Sequence, residues 1–325
     1  MKIAIIGANN FDSMEYHIHD ELTVQNHDVK IFDYNKILPK KIDLGLSQFS
    51  MRYVELKNTK LLSQVLDYNP QLVIGLYRHI HPLVVKEIKN KGIKIIHVNP
   101  DALTTFQNQQ LFVEPYDAYF TKDPFILRFM KEKLQLNAFI YQEAFNPRVL
   151  NMSTSNFTVL EQDVDIDVLS FGNLYPYRNR MLKHLIDNKI DVKIFGHKQK
   201  YFPEYLGNHF QNRPIYGEEK SKLLNGSKIV FNNLHYAEVE SVNKKFFEIN
   251  GSGAFQICDY KPILNELLPI DPKLVSFKTI DEAVKLIKYY LQEPEKRYGI
   301  RKVIQDHFLV NYTYKQMIIK IFDQI

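Results

Sequence analysis

Short apolar runs alternate with longer amphipathic stretches through the first 150 residues of the chain. The runs are short enough for strands, and the stretches between them have the spacing of helices. This rhythm predicts a parallel α/β sheet, because parallel strands need a crossover connection that is usually a helix. The predicted strands of this half cover residues 2–6, 28–32, 71–76, 94–98, 118–120 and 138–141.

The rhythm stops between residues 146 and 165, where Pro, Ser, Thr and Asn occur without periodicity, as is typical of a linker. A second α/β alternation follows. A chain of 325 residues is longer than one hydrophobic core usually supports. We therefore predict two domains, at residues 1–155 and 156–325. The strands predicted in the second are 167–170, 191–195, 228–232, 254–258 and 274–277, with helices at 180–188 and 280–291.

Composition narrows the class of protein without deciding its function. With 45% hydrophobic and 24% charged residues the chain should fold, and its net charge of +5 suits an anionic small ligand rather than a dedicated nucleic-acid site. The one cysteine, Cys258, excludes an internal disulfide and a multi-cysteine zinc site, and its apolar surroundings indicate a structural role. Because no apolar run approaches the roughly 18 residues of a membrane span, we expect a cytoplasmic protein with at most peripheral membrane contact.

The turn after the first predicted strand is Gly7-Ala8-Asn9-Asn10. A dinucleotide-binding fold would carry its G-x-G-x-x-G fingerprint here, and this chain does not. An NAD-dependent enzyme is therefore disfavoured. Residues 12–15 instead have the pattern of a capped helix start.

Residues 240–259, ESVNKKFFEINGSGAFQICD, combine two carboxylates with a glycine turn and a buried strand. Glu240 and Glu248 are eight residues apart, and a carboxylate such as Glu248 can accept hydrogen bonds from both hydroxyls of a ribose. Gly251 and Gly253 allow the backbone to approach a ligand. The alternative is an exposed acidic helix followed by an ordinary turn.

Residues 170–185, SFGNLYPYRNRMLKHL, end a strand at a Gly172-Asn173 turn and begin a helix near Arg178. Helix N-termini and guanidinium groups both stabilise a diphosphate. Arg178 is thus the first candidate for a phosphate ligand and Arg180 the second. The alternative is a solvated helix start.

Part of this pattern resembles a known family. The resemblance is to the "N-x-R-x-F-E … G … D" core of CgeB-like glycosyltransferases, which are related to the retaining family-4 enzymes also called glycosyl transferases group 1. Lys245 stands where that family commonly has Arg, which keeps the charge but loses a bidentate fork on phosphate. The matching residues are Asn243, Lys245, Phe247, Glu248, Gly253 and Asp259.

The resemblance extends over most of residues 165–325, including segments 192–202 and 220–236. It implies the GT-B fold, in which two Rossmann-like domains face a central cleft and a last helix, here about 308–325, crosses back to the first domain. It also implies that Glu248 holds the donor ribose and that Glu240 lies near the sugar. The donor-binding residues expected on these grounds are Gly172, Asn173, Arg178, Arg180, Asn243, Lys245 and Glu248, with His197 near the cleft.

The N-terminal half is less specific. Residues 15–34 resemble the acceptor side of the same enzymes, with Glu15 and His19 near the cleft mouth. Asp101 directly follows a predicted strand, so it lies at the carboxyl edge of the sheet, and its context resembles the catalytic base of phage DNA β-glucosyltransferases. The alternative for Asp101 is a plain helix cap.

His79 and His81 end another strand of the same predicted sheet. They are candidates for lining the cleft or binding the donor pyrophosphate. A zinc site would need a third ligand close in sequence, so no metal site is expected. The alternative is that both are loop histidines without a catalytic role.

Together these patterns predict a glycosyltransferase that moves a sugar from a nucleotide-diphosphate sugar, with a UDP-sugar as first choice, to a glycan, protein or other acceptor. Neither a cofactor nor an essential metal is expected. The glutamate pair favours retention of configuration, whereas the context of Asp101 favours inversion, and retention is the preferred outcome of the two. The rival functions are a phage-type DNA glycosyltransferase, a nucleotide-sugar epimerase and a non-catalytic nucleotide-binding protein.

Overall fold

The computed structural model describes residues 1–33, 40–77, 80–101, 110–150, 156–200 and 202–325. The chain divides into two compact units, each with its own sheet. Unit 1 comprises Met1–Gln142 and Met317–Ile325, and unit 2 comprises Glu143–Gln316. The predicted boundary follows residue 155, the last of residues 151–155, which fall outside the described part of the chain.

The described residues of unit 1 include a six-stranded parallel sheet, whose strands lie in the order β2-β1-β3-β4-β5-β6. Its central strands are buried on both faces, as parallel strands covered by helices must be; β3 reads LVIGL and every residue is buried. The strands are β1 (Lys2–Ile6), β2 (Asp28–Phe32), β3 (Leu72–Leu76), β4 (Lys94–Asn99), β5 (Ala118–Thr121) and β6 (Ala138–Ile140).

Helices of unit 1 follow its strands as crossover connections. Ser13 caps the first helix by accepting from the backbone N–H of Tyr16, so the helix start expected at residues 12–15 is confirmed. Residues Met317–Ile325 belong to this unit, where the ring of Phe322 meets that of His27. The helices are α1 (Met14–Val24), α2 (Lys40–Phe49), α3 (Met51–Tyr68), α4 (Pro82–Asn90) and α5 (Pro124–Arg128).

The described part of unit 2 is a five-stranded parallel sheet in the order β11-β10-β9-β7-β8. Read from the other edge, this is the order of the first five strands of unit 1. Cys258 lies buried in β10, as its apolar surroundings predicted. The strands are β7 (Ile166–Phe171), β8 (Val192–Phe195), β9 (Ser227–Asn232), β10 (Gln256–Asp259) and β11 (Ser276–Phe277).

Helices lie on both faces of this second sheet, because the crossover from β7 to β8 runs opposite to those from β8 to β9 and from β9 to β10, which places α7 on one face and α8 and α9 on the other. Helix α6 packs against α8 and α9 packs against α12, while α7 packs against α11. Helix α7 begins at Pro176, two residues before Arg178, near which its start was predicted, because Pro fits the first turn of a helix. The helices are α6 (Phe157–Val164), α7 (Pro176–Asp187), α8 (Gly217–Gly226), α9 (Lys244–Gly251), α10 (Leu264–Leu267), α11 (Ile280–Gln292), α12 (Pro294–Asn311) and α13 (Tyr314–Phe322), the last of which continues into unit 1.

This strand order places a crevice at one point of each sheet. In unit 1 the crossover after β1 runs toward one edge of the sheet, and the crossover after β3 runs toward the other edge. In unit 2 the crossovers after β7 and β9 diverge in the same way. Open α/β sheets bind ligands outside the carboxyl ends of such strands. In unit 2 these ends are Phe171 and Asn232. None of the helices in the described residues combines the length and apolarity needed to span a bilayer.

Candidate functional site

The turn after β7 brings the main chain close to two cationic side chains. Gly172 has a φ of +103°, a conformation that residues with a Cβ rarely adopt. A Cβ built at this position would lie 2.7 Å from the Nζ of Lys245 and 3.7 Å from an Nη of Arg178. The turn therefore needs glycine both for its backbone conformation and for the space that the two cations occupy.

Arg178 lies in the first turn of α7 and only 3% of it is exposed. Its Nε donates to the side-chain oxygen of Asn233 at 2.8 Å, and one Nη donates to the Asn233 carbonyl at 3.0 Å. The other Nη donates to the carbonyl of Asn173 at 2.7 Å. Burial lowers the pKa of Arg178. The guanidinium is thus fixed between the ends of β7 and β9, where a ligand of this fold is expected.

Lys245 approaches the same turn from the first helical turn of α9. Its ammonium donates to the carbonyl of Phe171 at 2.7 Å and lies 5.1 Å from the centre of the Phe171 ring. Burial, followed by the nearby charge of Arg178, holds the pKa of Lys245 well below its ordinary value. Two cations that repel each other are therefore held at one turn by neutral oxygen acceptors.

Glu248 lies one helical turn further along α9, and 4% of it is exposed. Its Oε1 is 3.0 Å from the ammonium of Lys244 and 3.1 Å from that of Lys220 on α8. Glu248 is the fifth residue of α9 and does not cap it. Phe246 and Phe247, between Lys245 and Glu248, are buried. We call Arg178, Lys220, Lys244, Lys245 and Glu248 the charged cluster.

Asn243 is the N-cap of α9, and its side-chain oxygen accepts from the backbone N–H of Phe246 at 3.0 Å. Its amide also exchanges hydrogen bonds with Asn232 at the end of β9, at 3.1 and 3.2 Å. Asn232 in turn donates to Gln256 at 2.7 Å. These contacts give Asn243, predicted to bind the donor, a clear part in fixing the helix that carries Lys245 and Glu248.

The other residues predicted in unit 2 lie outside the charged cluster. Asn173 is exposed, and its carbonyl supports Arg178. Arg180 is exposed two residues further along α7 and lines a separate cavity with Asn179 and Lys200. Glu240 is half-buried in the loop between β9 and α9, and His197 is exposed after β8.

In unit 1 the structure gathers acidic groups around the turn that follows β1. Glu15 is 1% exposed, its Oε1 accepts from the backbone N–H of Ala8 at 2.8 Å, and its Oε2 has no partner among the described residues. Asp33 accepts from the backbone N–H of Asn9 at 2.9 Å. The Nε2 of His17 lies 2.9 Å from Asp12, whose φ is +63°.

The other residues of unit 1 that the sequence predicted for the site belong to different elements of the sheet and its helices. His19 is half-buried on α1, and His81 caps α4 by accepting from the backbone N–H of Leu83 at 3.2 Å. Asp101 is exposed two residues beyond β4, and its backbone exchanges hydrogen bonds with the Asn99 side chain. His79 lies outside the described residues.

Sequence reasoning missed Lys220, Lys244 and Asn233. The spacing of Lys244 and Glu248 is that of neighbours on a helix face, so this pair could have been predicted. Asn233 is the first residue after β9 and could have been named as a residue of the sheet edge. Lys220 comes from a separate element, and only the packing of α8 brings it to Glu248.

Comparisons with known proteins agree with this architecture. Residues 178–323, just under half of the chain, match the model of a family described as glycosyl transferase-like. No curated protein matches the chain.

Solved structures resemble the chain over its whole length. Sucrose-phosphate synthase from Thermosynechococcus elongatus is 10% identical with a TM-score of 0.71, and the match covers 99% of this chain and 97% of that one. The Anabaena protein HepE, solved with UDP, is 10% identical with a TM-score of 0.68 and full coverage of both chains. The lipopolysaccharide outer core galactosyltransferase WaaB is 14% identical with a TM-score of 0.63, again with full coverage of both. These likenesses confirm the predicted GT-B fold class.

Proposed function

We propose that this chain is a glycosyltransferase that takes a sugar from a nucleotide-diphosphate sugar bound at the charged cluster of unit 2. The observation that carries the proposal is the pair of cations at the Gly172 turn. Arg178 and Lys245 are held beside each other against neutral oxygens, at the place where this fold binds ligands. A diphosphate would relieve their repulsion.

The same pair fits the chemistry of glycosyl transfer. Breaking the bond between the sugar and the diphosphate leaves negative charge on a phosphate oxygen, and an oxocarbenium-like centre develops on the sugar. Cations that are fixed before the reaction stabilise that charge without reorganising. Arg178 and Lys245 are the proposed partners of the leaving diphosphate, so the reaction would need no metal. Glu248, which pairs with Lys220 and Lys244 in the charged cluster, is proposed to accept hydrogen bonds from the hydroxyls of the ribose.

The resemblance to CgeB-like enzymes supports the finer assignments. On that resemblance Glu240 is the proposed neighbour of the donor sugar. Asp101, whose context resembles the catalytic base of phage DNA β-glucosyltransferases, is proposed to act on the acceptor or its proton. UDP is the proposed nucleotide, and the presence of UDP in the structure of HepE agrees with this choice. The proposed location is the cytoplasm, and the acceptor is a glycan, a protein or another hydroxyl compound.

Calorimetric titration with UDP and with inorganic pyrophosphate tests the site directly. We expect both to bind, and we expect Arg178→Gln and Lys245→Met to weaken both. Arg180→Gln is the matched control, because this arginine lies on the same helix but is exposed. Equal affinity of the Arg178 variant and the wild type for pyrophosphate would refute the proposed site.

Turnover separates the proposed function from its rivals. A labelled nucleotide sugar incubated alone should be hydrolysed slowly or not at all, and it should be consumed faster when an acceptor panel is added. Conversion of the sugar without an acceptor would indicate an epimerase. Transfer confined to hydroxymethylated DNA would indicate a DNA glycosyltransferase, and binding without turnover across the panel would indicate a non-catalytic protein.

A further inference from the structure

A second feature of unit 2 lies beside the charged cluster, at the carboxyl ends of β9, β10 and β11. It is a cavity of about 310 Å³, large enough for one sugar ring. Half of the residues that line it carry rings, which come from the first turn of α7, from the end of β11 and from the residues that follow β9 and β10: Tyr177, His235, Tyr236, Tyr260 and Phe277. The rest of the lining consists of Met181, Leu234, Asp259, Lys261 and Lys278.

Three of these rings, those of Tyr177, His235 and Tyr236, contact one another and form an aromatic wall. Tyr236 stacks on His235 with ring centres 4.4 Å apart, and Tyr177 stands nearly perpendicular to both, at 5.7 Å from each. Aromatic faces flanking a few polar groups are the usual lining of a small-molecule pocket. The cavity therefore has the composition of a binding site.

Two polar groups in this cavity are suited to hydroxyl ligands. Asp259, at the end of β10, accepts from the backbone N–H of Leu234 at 2.6 Å, and burial raises the pKa of its carboxyl. The hydroxyl of Tyr177 is buried and has no partner among the described residues. A buried hydroxyl without a partner is costly to a protein, so a ligand that supplies one would explain it.

The cavity and Glu248 are contributed by helices on opposite faces of the sheet whose edge carries the two cations. Tyr177 precedes Arg178 on α7, and Leu234 follows Asn233, which binds Arg178. Helix α7 and its neighbour α11 cover one face of the sheet, whereas Glu248 is on α9 and its partner Lys220 is on α8. A diphosphate at Arg178 and Lys245 would thus have a carboxylate on the side of α9 and the cavity on the side of α7.

We infer that this cavity holds the glycosyl group of the donor, with Asp259 and Tyr177 binding its hydroxyls and the aromatic wall packing against its ring. The inference rests on the proposed function, in which Glu248 holds the ribose. A nucleotide sugar has its nucleoside at one end of the diphosphate and its sugar at the other. Because Glu248 binds the nucleoside end in the proposed function, the cavity is the site for the sugar at the other end.

The test compares three probes by calorimetry: inorganic pyrophosphate, UDP and a panel of nucleotide sugars consisting of UDP-glucose, UDP-galactose, UDP-N-acetylglucosamine, GDP-glucose and ADP-glucose. The variants are Asp259→Asn and Tyr177→Phe. Asn keeps an acceptor for the Leu234 N–H, and Phe removes a hydroxyl that has no partner among the described residues, so both variants should fold. The matched controls are Asp306→Asn and Tyr205→Phe, which change exposed residues outside this cavity.

We expect each cavity variant to bind pyrophosphate and UDP as the wild type does, and to bind the preferred nucleotide sugar about tenfold more weakly. The controls should bind all probes unchanged. Equal weakening of UDP and of the nucleotide sugar would overturn the inference and place the base in the cavity. It would also be overturned if no nucleotide sugar in the panel bound the wild type differently from its bare nucleotide, or if the cavity variants bound like the wild type. Pyrophosphate binding that does not depend on Arg178 would instead refute the proposed function.

Discussion

The turns that follow β1 and β7 hold the same position in the same strand order, yet opposite charges surround them. In unit 1, two backbone N–H groups of the turn donate to the carboxylates of Glu15 and Asp33. In unit 2, the carbonyls of Phe171 and Asn173 accept from Lys245 and Arg178. The turn after β1 therefore already donates to carboxylates of its own chain. The turn after β7 lies beside two cations that can bind an anionic ligand.

This difference shows that strand order alone does not decide where a phosphate binds. The carboxyl edge of a parallel sheet offers a crevice in both units, and the side chains that fill it set the charge of the ligand. The acidic turn of unit 1 disfavours an anionic ligand. The cationic turn of unit 2 suits a diphosphate.

The largest effect should come from removing a fixed cation. We expect Arg178→Gln to weaken pyrophosphate and UDP binding by roughly 10²- to 10³-fold, because truncating one partner of a buried charged contact leaves the other partner unsatisfied. Calorimetry at constant ionic strength measures it. Circular dichroism checks that the variant is folded, and Arg180→Gln should remain close to the wild type. A loss as large in the Arg180 variant would mean that the exposed face of α7 also contacts the ligand.

The next effect concerns the other unit. If Asp101 acts on the acceptor proton, Asp101→Asn should lower the transfer rate about 10²-fold, the usual contribution of a positioned proton-transfer group. Its affinity for UDP should not change. Single-turnover rates with a saturating donor separate the two quantities, and a rate within a factor of about three of the wild type would remove Asp101 from the mechanism.

A pH profile sharpens the role of Lys245. Its pKa is lowered by burial and by Arg178, so in the unliganded protein the ammonium loses its proton at a lower pH than an exposed lysine does. Pyrophosphate affinity should therefore fall as the pH rises through the pKa of Lys245, and the fall should begin at a lower pH than an exposed lysine would give. In Lys245→Arg, whose guanidinium stays charged throughout, the fall should be much smaller. Parallel profiles for the two proteins would show that Lys245 is not the titrating group.

The smallest effect should come from the acidic turn. Glu15→Gln keeps an acceptor for the Ala8 N–H, so we expect a folded protein whose pyrophosphate affinity stays within about twofold of the wild type after salt screening. Because Gln has the same shape as Glu, the substitution changes the charge at this position without changing the packing. A gain of tenfold or more in pyrophosphate affinity would break the comparison, since it would show that only one carboxylate keeps phosphate away from unit 1.

Much of the fold could be predicted because buried parallel strands are short apolar runs, and each predicted strand overlaps an observed one. The burial of Arg178 was also accessible from the sequence. Leu182 and Leu185 lie four and seven residues further along α7 and are buried, so Arg178 shares their face and Arg180 does not.

The contacts that join distant elements could not be predicted in this way. Lys220 and Glu248 are 28 positions apart and meet only because α8 and α9 lie on the same face of the sheet. The part of Asn243 as a helix cap depends on the length of the loop after β9, which has no periodicity to fix it. The cavity beside the cluster is formed by residues from four separate segments, whose convergence is a property of the strand order.

The fixed position of Arg178 and Lys245 also has a practical consequence for handling the protein. Repulsion between these two cations lowers the stability of the unliganded protein, and a bound anion would relieve it. Any anion that binds the folded form also raises its melting temperature by mass action. The choice of buffer salt is therefore part of any measurement on this protein. Phosphate or sulfate would compete with a nucleotide and hide its affinity, whereas a chloride buffer of equal ionic strength would reveal it.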